Sequence, residues 1–173
     1  MSAAGGSVAE RRRVGYLGLG SNMGDRLALL RAARERLDSG TVRVRAASSV
    51  YETEAMDDAA GQGDFLNACL EVDTALGPEP LLDACKAAER AMGRRPGGRR
   101  HAPRPVDVDL LLLGDVERRD HRLTLPHPGI LRRRFVLLPL LELDPGLRLP
   151  DGRALADALP GVADQRAKRV GKL

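Results

Sequence analysis

At 173 residues, with 43% hydrophobic and 30% charged side chains, the chain suits one globular domain built on a single core. Its longest apolar run, residues 135–141, is broken by Pro139 and falls far short of the roughly 20 residues of a membrane span. The formal charge is only +4, yet arginines crowd into residues 11–13, 94–104 and 132–134, which are either solvated faces or sites for phosphate. Residues 1–13 are rich in Gly, Ala and Arg and lack the apolar stretch of a signal peptide, so a disordered leader is expected there. Two cysteines, Cys69 and Cys85, in apolar-periodic segments suit buried thiols in a reducing cytoplasm rather than a disulfide framework.

In chain order, residues 14–19 form a short apolar run that predicts a strand, and Gly20-Ser21-Asn22-Met23-Gly24-Asp25 turns it. Leu27, Leu30, Ala33 and Leu37 then recur at helical spacing up to Gly40. Residues 41–51 alternate Val42, Val44 and Ala46 with Arg43 and Arg45, which predicts one strand with a wet face, followed by a Gly- and Asp-rich loop over 52–64. Residues 65–74 alternate again, and Leu66, Ala68, Leu70 and Val72 are expected to face the core, with Phe65, Asn67, Cys69 and Glu71 opposite. Pro78 opens a helix whose buried stripe is Leu82, Cys85, Ala88 and Met92; Gly93 and an arginine-rich loop end it. Residues 106–113 predict a further strand. Strand, helix, strand, strand, helix, strand is the order of a ferredoxin-like α+β unit, an antiparallel sheet with helices packed on it. Residues 128–143 look helical but contain Pro139, which predicts a kinked or short helix, and 154–159 predict a further helical turn, giving a C-terminal helical extension.

Asp107-Val108-Asp109 interrupts an otherwise aliphatic strand. Two carboxylates two residues apart point to one face, where they repel unless a cation compensates, and hard oxygen ligands at this spacing suit Mg²⁺. The spacing alone also fits an exposed edge-strand face paired with arginines, and the flanking sequence must decide. Just before it, Arg94, Arg95, Arg99, Arg100 and Arg104 are set among glycines and prolines, either a phosphate-binding lid or a solvated basic loop. Neither the Gly-x-x-x-x-Gly-Lys-Ser/Thr loop nor the three-glycine dinucleotide fingerprint is present, so any phosphate is left to arginines and metal. Phe65 and Phe135 are the two phenylalanines of the chain and suit either core packing or stacking on a flat ligand; His127 before Pro128 suits a structural role or a phosphate hydrogen bond.

Four ordered motifs, Gly20-Ser21-Asn22-x-Gly24-Asp25, Phe65-Leu66-Asn67, Arg104-Pro105-Val106-Asp107-Val108-Asp109 and Leu123-Thr124-Leu125-Pro126-His127-Pro128, resemble those of the 6-hydroxymethyl-7,8-dihydropterin pyrophosphokinases. That resemblance implies a single domain over residues 14–173 that transfers pyrophosphate from ATP to the pterin hydroxymethyl group in folate biosynthesis, releasing AMP. It implies two Mg²⁺ ions held by Asp107 and Asp109, with Arg94 and Arg104 steadying the triphosphate. Glu89, Arg100, Arg122, Thr124, His127 and Arg133 match positions around the nucleotide. The pterin is expected between Phe65 and Phe135, its edge met by Asn67 and the backbone near Thr53 and Met56. A cytoplasmic monomer without nucleic-acid or membrane partners is expected. Pro96, His101 and Glu54, and the length of residues 57–63, depart from the familiar pattern. Of the rival functions, RNA binding on the sheet requires exposed aromatics that a chain with 2% aromatic residues lacks; a catalytically silent Mg–nucleotide binder differs from the enzyme by making no AMP.

Overall fold

The central strands of this chain bury both faces, and its helices cover them from two sides. The computed structural model describes residues 11–56, 61–93 and 105–173. The first strand, β1 (Arg13–Ser21), leads through an Asp25 cap, whose carboxylate accepts the Ala28 N–H at 3.1 Å, into α1 (Arg26–Leu37). Then come β2 (Val42–Ala47), β3 (Ser49–Thr53), β4 (Phe65–Thr74), α2 (Pro78–Ala91) and β5 (Asp107–Leu113). A two-stranded hairpin, β6 (Arg118–Arg119) and β7 (Thr124–Leu125), precedes α3 (Arg134–Leu143), and the last strand is β8 (Ala167–Lys172). Among the described residues no helix is long and apolar enough to cross a membrane.

The main sheet runs β5-β1-β4-β3-β8, with β2 also on β4, and every pairing is antiparallel. Leu17 and Leu19 of β1, Leu70 and Val72 of β4 and Val108 of β5 meet Leu30 and Ala33 of α1 and Leu81, Cys85 and Ala88 of α2 in one core. On the other face Tyr16, Cys69 and Leu111 meet Val136, Leu137 and Leu140 of α3 and Leu155 and Val162 of the 3₁₀ stretch Leu155–Val162. This is the α+β architecture expected of the element order.

The departures have physical causes. Residues 41–51 make two strands, because Ser48 steps out of the ladder and its hydroxyl replaces a backbone acceptor for the Cys69 N–H at 2.9 Å. Cys69 is buried rather than on a wet face, since α3 covers it. Residues 130–132 form a 3₁₀ turn, the extended backbone of Arg133 breaks it, and α3 begins only afterwards. Pro139 sits within α3 as a buried residue and cannot donate to the carbonyl four residues back. The expected helical tail is 3₁₀ over Leu155–Val162 but ends in β8, which pairs with β3. At the other end β1 starts at Arg13, and Arg12 donates to Asp73 at 2.6 Å, so residues 12 and 13 belong to the fold.

Candidate active site

Register decides which side chains share a face. Gly18 of β1 lies opposite Asp109 on one side and Cys69 on the other; Gly20 lies opposite Asp107 and Asn67. Because β1 carries no side chain at these two positions, Leu111 packs against Gly18 and the Asn67 oxygen against Gly20, and the register sets the carboxylates of β5 and the polar end of β4 on either side of this glycine floor. The separation is two strand spacings, roughly 9.5 Å. Gly20 has no room for more than hydrogen, since a Cβ there would lie 2.9 Å from the Asn67 side-chain oxygen. A bulge between Tyr16 and Leu17, opposite Leu110–Leu112, lets Asp107, Asp109 and then both Leu111 and Leu112 point to the α3 side of the sheet.

Asp107 and Asp109 are half-buried on the edge strand. Behind them, Glu89 of α2 accepts the Val108 N–H at 2.8 Å, which satisfies the outward-facing backbone of the edge and fixes the segment between the two carboxylates. Glu89 is 1% exposed and also pairs with Lys86 at 3.3 Å. At the β4 end, the Asn67 amide donates to the Thr53 hydroxyl at 2.8 Å, leaving its carbonyl oxygen on the Gly20 side. Phe65, half-buried, precedes Asn67 on the same face, and Phe135 stands half-buried in the first turn of α3 with the Arg133 guanidinium 5.8 Å over its ring.

His127 is held by its own backbone, which donates to the Leu111 carbonyl at 2.9 Å, and its Nδ1 accepts the Gly129 N–H at 3.0 Å. Burial lowers its pKa, Asp109 opposes that, and Arg133, Arg132 and Lys86 reinforce it. Because Nδ1 accepts from Gly129, the ring N–H lies on Nε2, a donor for an anionic oxygen. Cys69, under the same floor, is kept a thiol by burial and by the Asp109 charge. A thiolate ligand is thus disfavoured, and among the described residues no cluster of three or more His, Cys, Asp or Glu could hold a metal. Two carboxylates alone fit a hard, water-rich ion such as Mg²⁺, which completes its shell with water and phosphate oxygens.

Not every expected residue joins this strip. Arg122 is exposed in the β6–β7 turn and bonded to Glu79 and Asp83 of α2. Thr124 is half-buried on β7, paired with Arg119, and Met56 is half-buried beyond the end of β3. Arg94, Arg100 and Arg104 lie outside the described residues. The glycine floor and the backbone role of Glu89 carry no signature in a single sequence, since neither depends on a residue type peculiar to catalysis.

Comparison with known proteins decides the family. The model of the 7,8-dihydro-6-hydroxymethylpterin-pyrophosphokinase family matches residues 16–145. The chain belongs to this family. Proteins named 2-amino-4-hydroxy-6-hydroxymethyldihydropteridine pyrophosphokinase include relatives from Methylorubrum extorquens, 41% identical over 90% of this chain and 97% of that one, and from Aquifex aeolicus, 39% identical over 78% and 82%. The Mycobacterium bovis protein of the same name is 38% identical over 86% and 85%. Among solved structures, HPPK-DHPS in complex with substrates superposes with a TM-score of 0.68 at 12% identity, over 88% of this chain and 44% of that one. A Plasmodium falciparum HPPK-DHPS superposes at 0.70 and 13% identity, over 91% and 47%. At such identity these two show the pyrophosphokinase fold alone, and this chain spans under half of their length.

Proposed function

We propose that this chain carries out the family's reaction, transfer of pyrophosphate from ATP to 6-hydroxymethyl-7,8-dihydropterin in folate biosynthesis, across the glycine floor of β1. The enzyme is a 2-amino-4-hydroxy-6-hydroxymethyldihydropteridine diphosphokinase, with ATP as co-substrate. The observation that carries the residue-level reading is the register of β5, β1 and β4. It sets Asp107 and Asp109 on one side of Gly18 and Gly20, and Asn67, supported by Thr53, on the other.

Asp107 and Asp109 would hold the two Mg²⁺ ions, which would neutralise the charge that builds on the phosphate oxygens of ATP. Glu89 keeps the backbone of Val108, and so the pair, in place. His127 donates from Nε2 to a phosphate oxygen, with Arg133 beside it. Arg94, Arg100 and Arg104 add cationic contacts to the triphosphate, and Arg122 and Thr124 border the nucleotide. The pterin stacks between Phe65 and Phe135 and hydrogen-bonds to Asn67 and to the backbone of residues 53–56. In-line attack by the pterin hydroxyl on the β-phosphorus then requires positioning and charge neutralisation, with little covalent work for the protein. The enzyme acts as a cytoplasmic monomer.

The test is an incubation with ATP, Mg²⁺ and the hydroxymethyl dihydropterin. AMP and pterin diphosphate must appear in equal amounts; ADP instead, or nucleotide binding without turnover, overturns the reading.

A further inference from the structure

The two walls assigned to the pterin belong to segments far apart in sequence, Phe65 at the start of β4 and Phe135 at the start of α3. Three consecutive tail residues touch both. The Gln165 side chain accepts the Arg134 N–H at 2.9 Å and donates to the Arg132 carbonyl at 2.9 Å. Arg134 returns the contact, its guanidinium donating to the carbonyls of Ala163 at 2.9 Å and Gln165 at 3.0 Å. No side-chain cap comes from Arg133, the residue preceding α3, so Gln165 caps the helix from outside. The next residue, Arg166, pairs with Asp64 at 2.7 Å, directly before Phe65. Ala167 then pairs with Thr53, whose hydroxyl holds Asn67.

We propose that Gln165 and Arg166 are positioning residues that fix the distance between Phe135 and Phe65 and so govern affinity for the pterin. The inference rests on the assignment of those two rings to the pterin. Both residues lie beyond the stretch 16–145 that matches the family model. The Arg166–Asp64 pair is too exposed, at 57% and 38%, to add much to global stability, so its effect is on where the β3–β4 connection ends rather than on whether the chain folds. Arg26 anchors the same point from the opposite side, donating to the Asp64 carbonyl and to Glu52, both at 2.8 Å. Loss of Arg166 therefore leaves a partial anchor, whereas loss of the Gln165 side chain removes both bonds that hold the backbone at the start of α3 and leaves only the Arg134 guanidinium on the tail carbonyls. The carboxylates on β5 are separated from the Arg166–Asp64 pair by β1 and β4, so that arm is selective for the pterin, whereas Gln165 also holds the backbone on both sides of Arg133.

The test measures binding of 6-hydroxymethylpterin, with a non-hydrolysable ATP analogue and Mg²⁺ present, and binding of the analogue alone. Gln165→Ala is expected to weaken pterin binding about tenfold, and Arg166→Ala about threefold with analogue binding within about twofold of the parent and melting temperature retained. Asp64→Arg should match Arg166→Ala, and combining it with Arg166→Asp should restore the parent affinity. Unchanged pterin affinity in the two alanine variants, equal losses for both ligands in Arg166→Ala, or no recovery in the reversed pair overturns the strap. Should Gln165→Ala fail to fold, Arg166→Ala and the charge reversal decide. Phe65→Ala and Phe135→Ala separate the two levels of the argument. If they weaken the pterin and the strap variants do not, the strap alone is wrong; if they bind like the parent, the pterin assignment fails and the strap with it.

Discussion

The Cα of Gly20 faces the Asn67 side-chain oxygen so closely that a methyl group there would lie 2.9 Å from it. Asn67 cannot give way, because it is buried and its amide is committed to Thr53. Gly20→Ala is thus expected to cost about 1–3 kcal/mol of stability through overpacking, and to reduce pterin binding by displacing the group that reads the ring edge. Denaturant unfolding and pterin titration check both effects. Gly40→Ala is the control, since nothing lies within 4 Å of a Cβ there and it should leave both quantities unchanged.

Asp107→Ala and Asp109→Ala should each lower AMP production by several powers of ten, each power being about 1.4 kcal/mol of barrier. Asp109→Ala should not lower the melting temperature in metal-free buffer, because removing one of two neighbouring half-buried carboxylates relieves their repulsion when no cation is present. A Mg²⁺ titration of turnover and a thermal melt in chelator make the measurement. Near-parental turnover in both variants would remove the metal assignment.

Much of this architecture was legible in residue pattern. The period-two run over 65–74, the aliphatic run over 106–113, the helical stripes of α1 and α2 and the Asp107–Asp109 pair all report burial or charge that a single strand or helix must satisfy locally. What escaped depends on partners distant in sequence. Cys69 is buried only because α3 crosses that face, and the polar, exposed β8 is a strand only because the edge of β3 is there to accept it. Likewise the site needs Gly18 and Gly20 on the strand between β5 and β4, a fact of strand order that periodicity along one strand cannot encode.

Removal of Glu89 tests the support of the carboxylate pair. Val108 is fully buried, so Glu89→Ala strands its N–H, which costs about 1–3 kcal/mol, and frees the backbone between Asp107 and Asp109. Glu89→Gln keeps an acceptor oxygen and should retain more stability and more turnover than the alanine variant. Urea unfolding alongside AMP release under saturating substrates distinguishes the two. Equal turnover in all three proteins would show that the Val108 contact is irrelevant to catalysis.

A second clamp sets the pH limits of stability. Glu142 at the end of α3 accepts from the Ser49 N–H at 2.9 Å, the Ser49 hydroxyl at 2.7 Å and the Tyr51 hydroxyl at 2.7 Å. Burial works against the Glu142 charge, but these donors outweigh it and lower its pKa. Burial, then the hydrogen bond and charge of Glu142, push Tyr51 up from 10.0 to about 12. A depressed carboxylate stabilises the fold above its unfolded value, about 4.3, and that contribution is lost as pH falls through the folded value. For a raised tyrosine the contribution is complete below pH 10.0 and lost as pH rises towards about 12. Stability from the clamp therefore forms a plateau between these limits. Tyr51→Phe should lower the plateau by about 1 kcal/mol and flatten the alkaline limb, while Tyr16, also raised to about 12, keeps part of that slope. Denaturant midpoints measured from pH 4 to 12 for the parent, Tyr51→Phe and Glu142→Gln read this out, and an alkaline limb unchanged in Tyr51→Phe would show that Tyr51 does not set it.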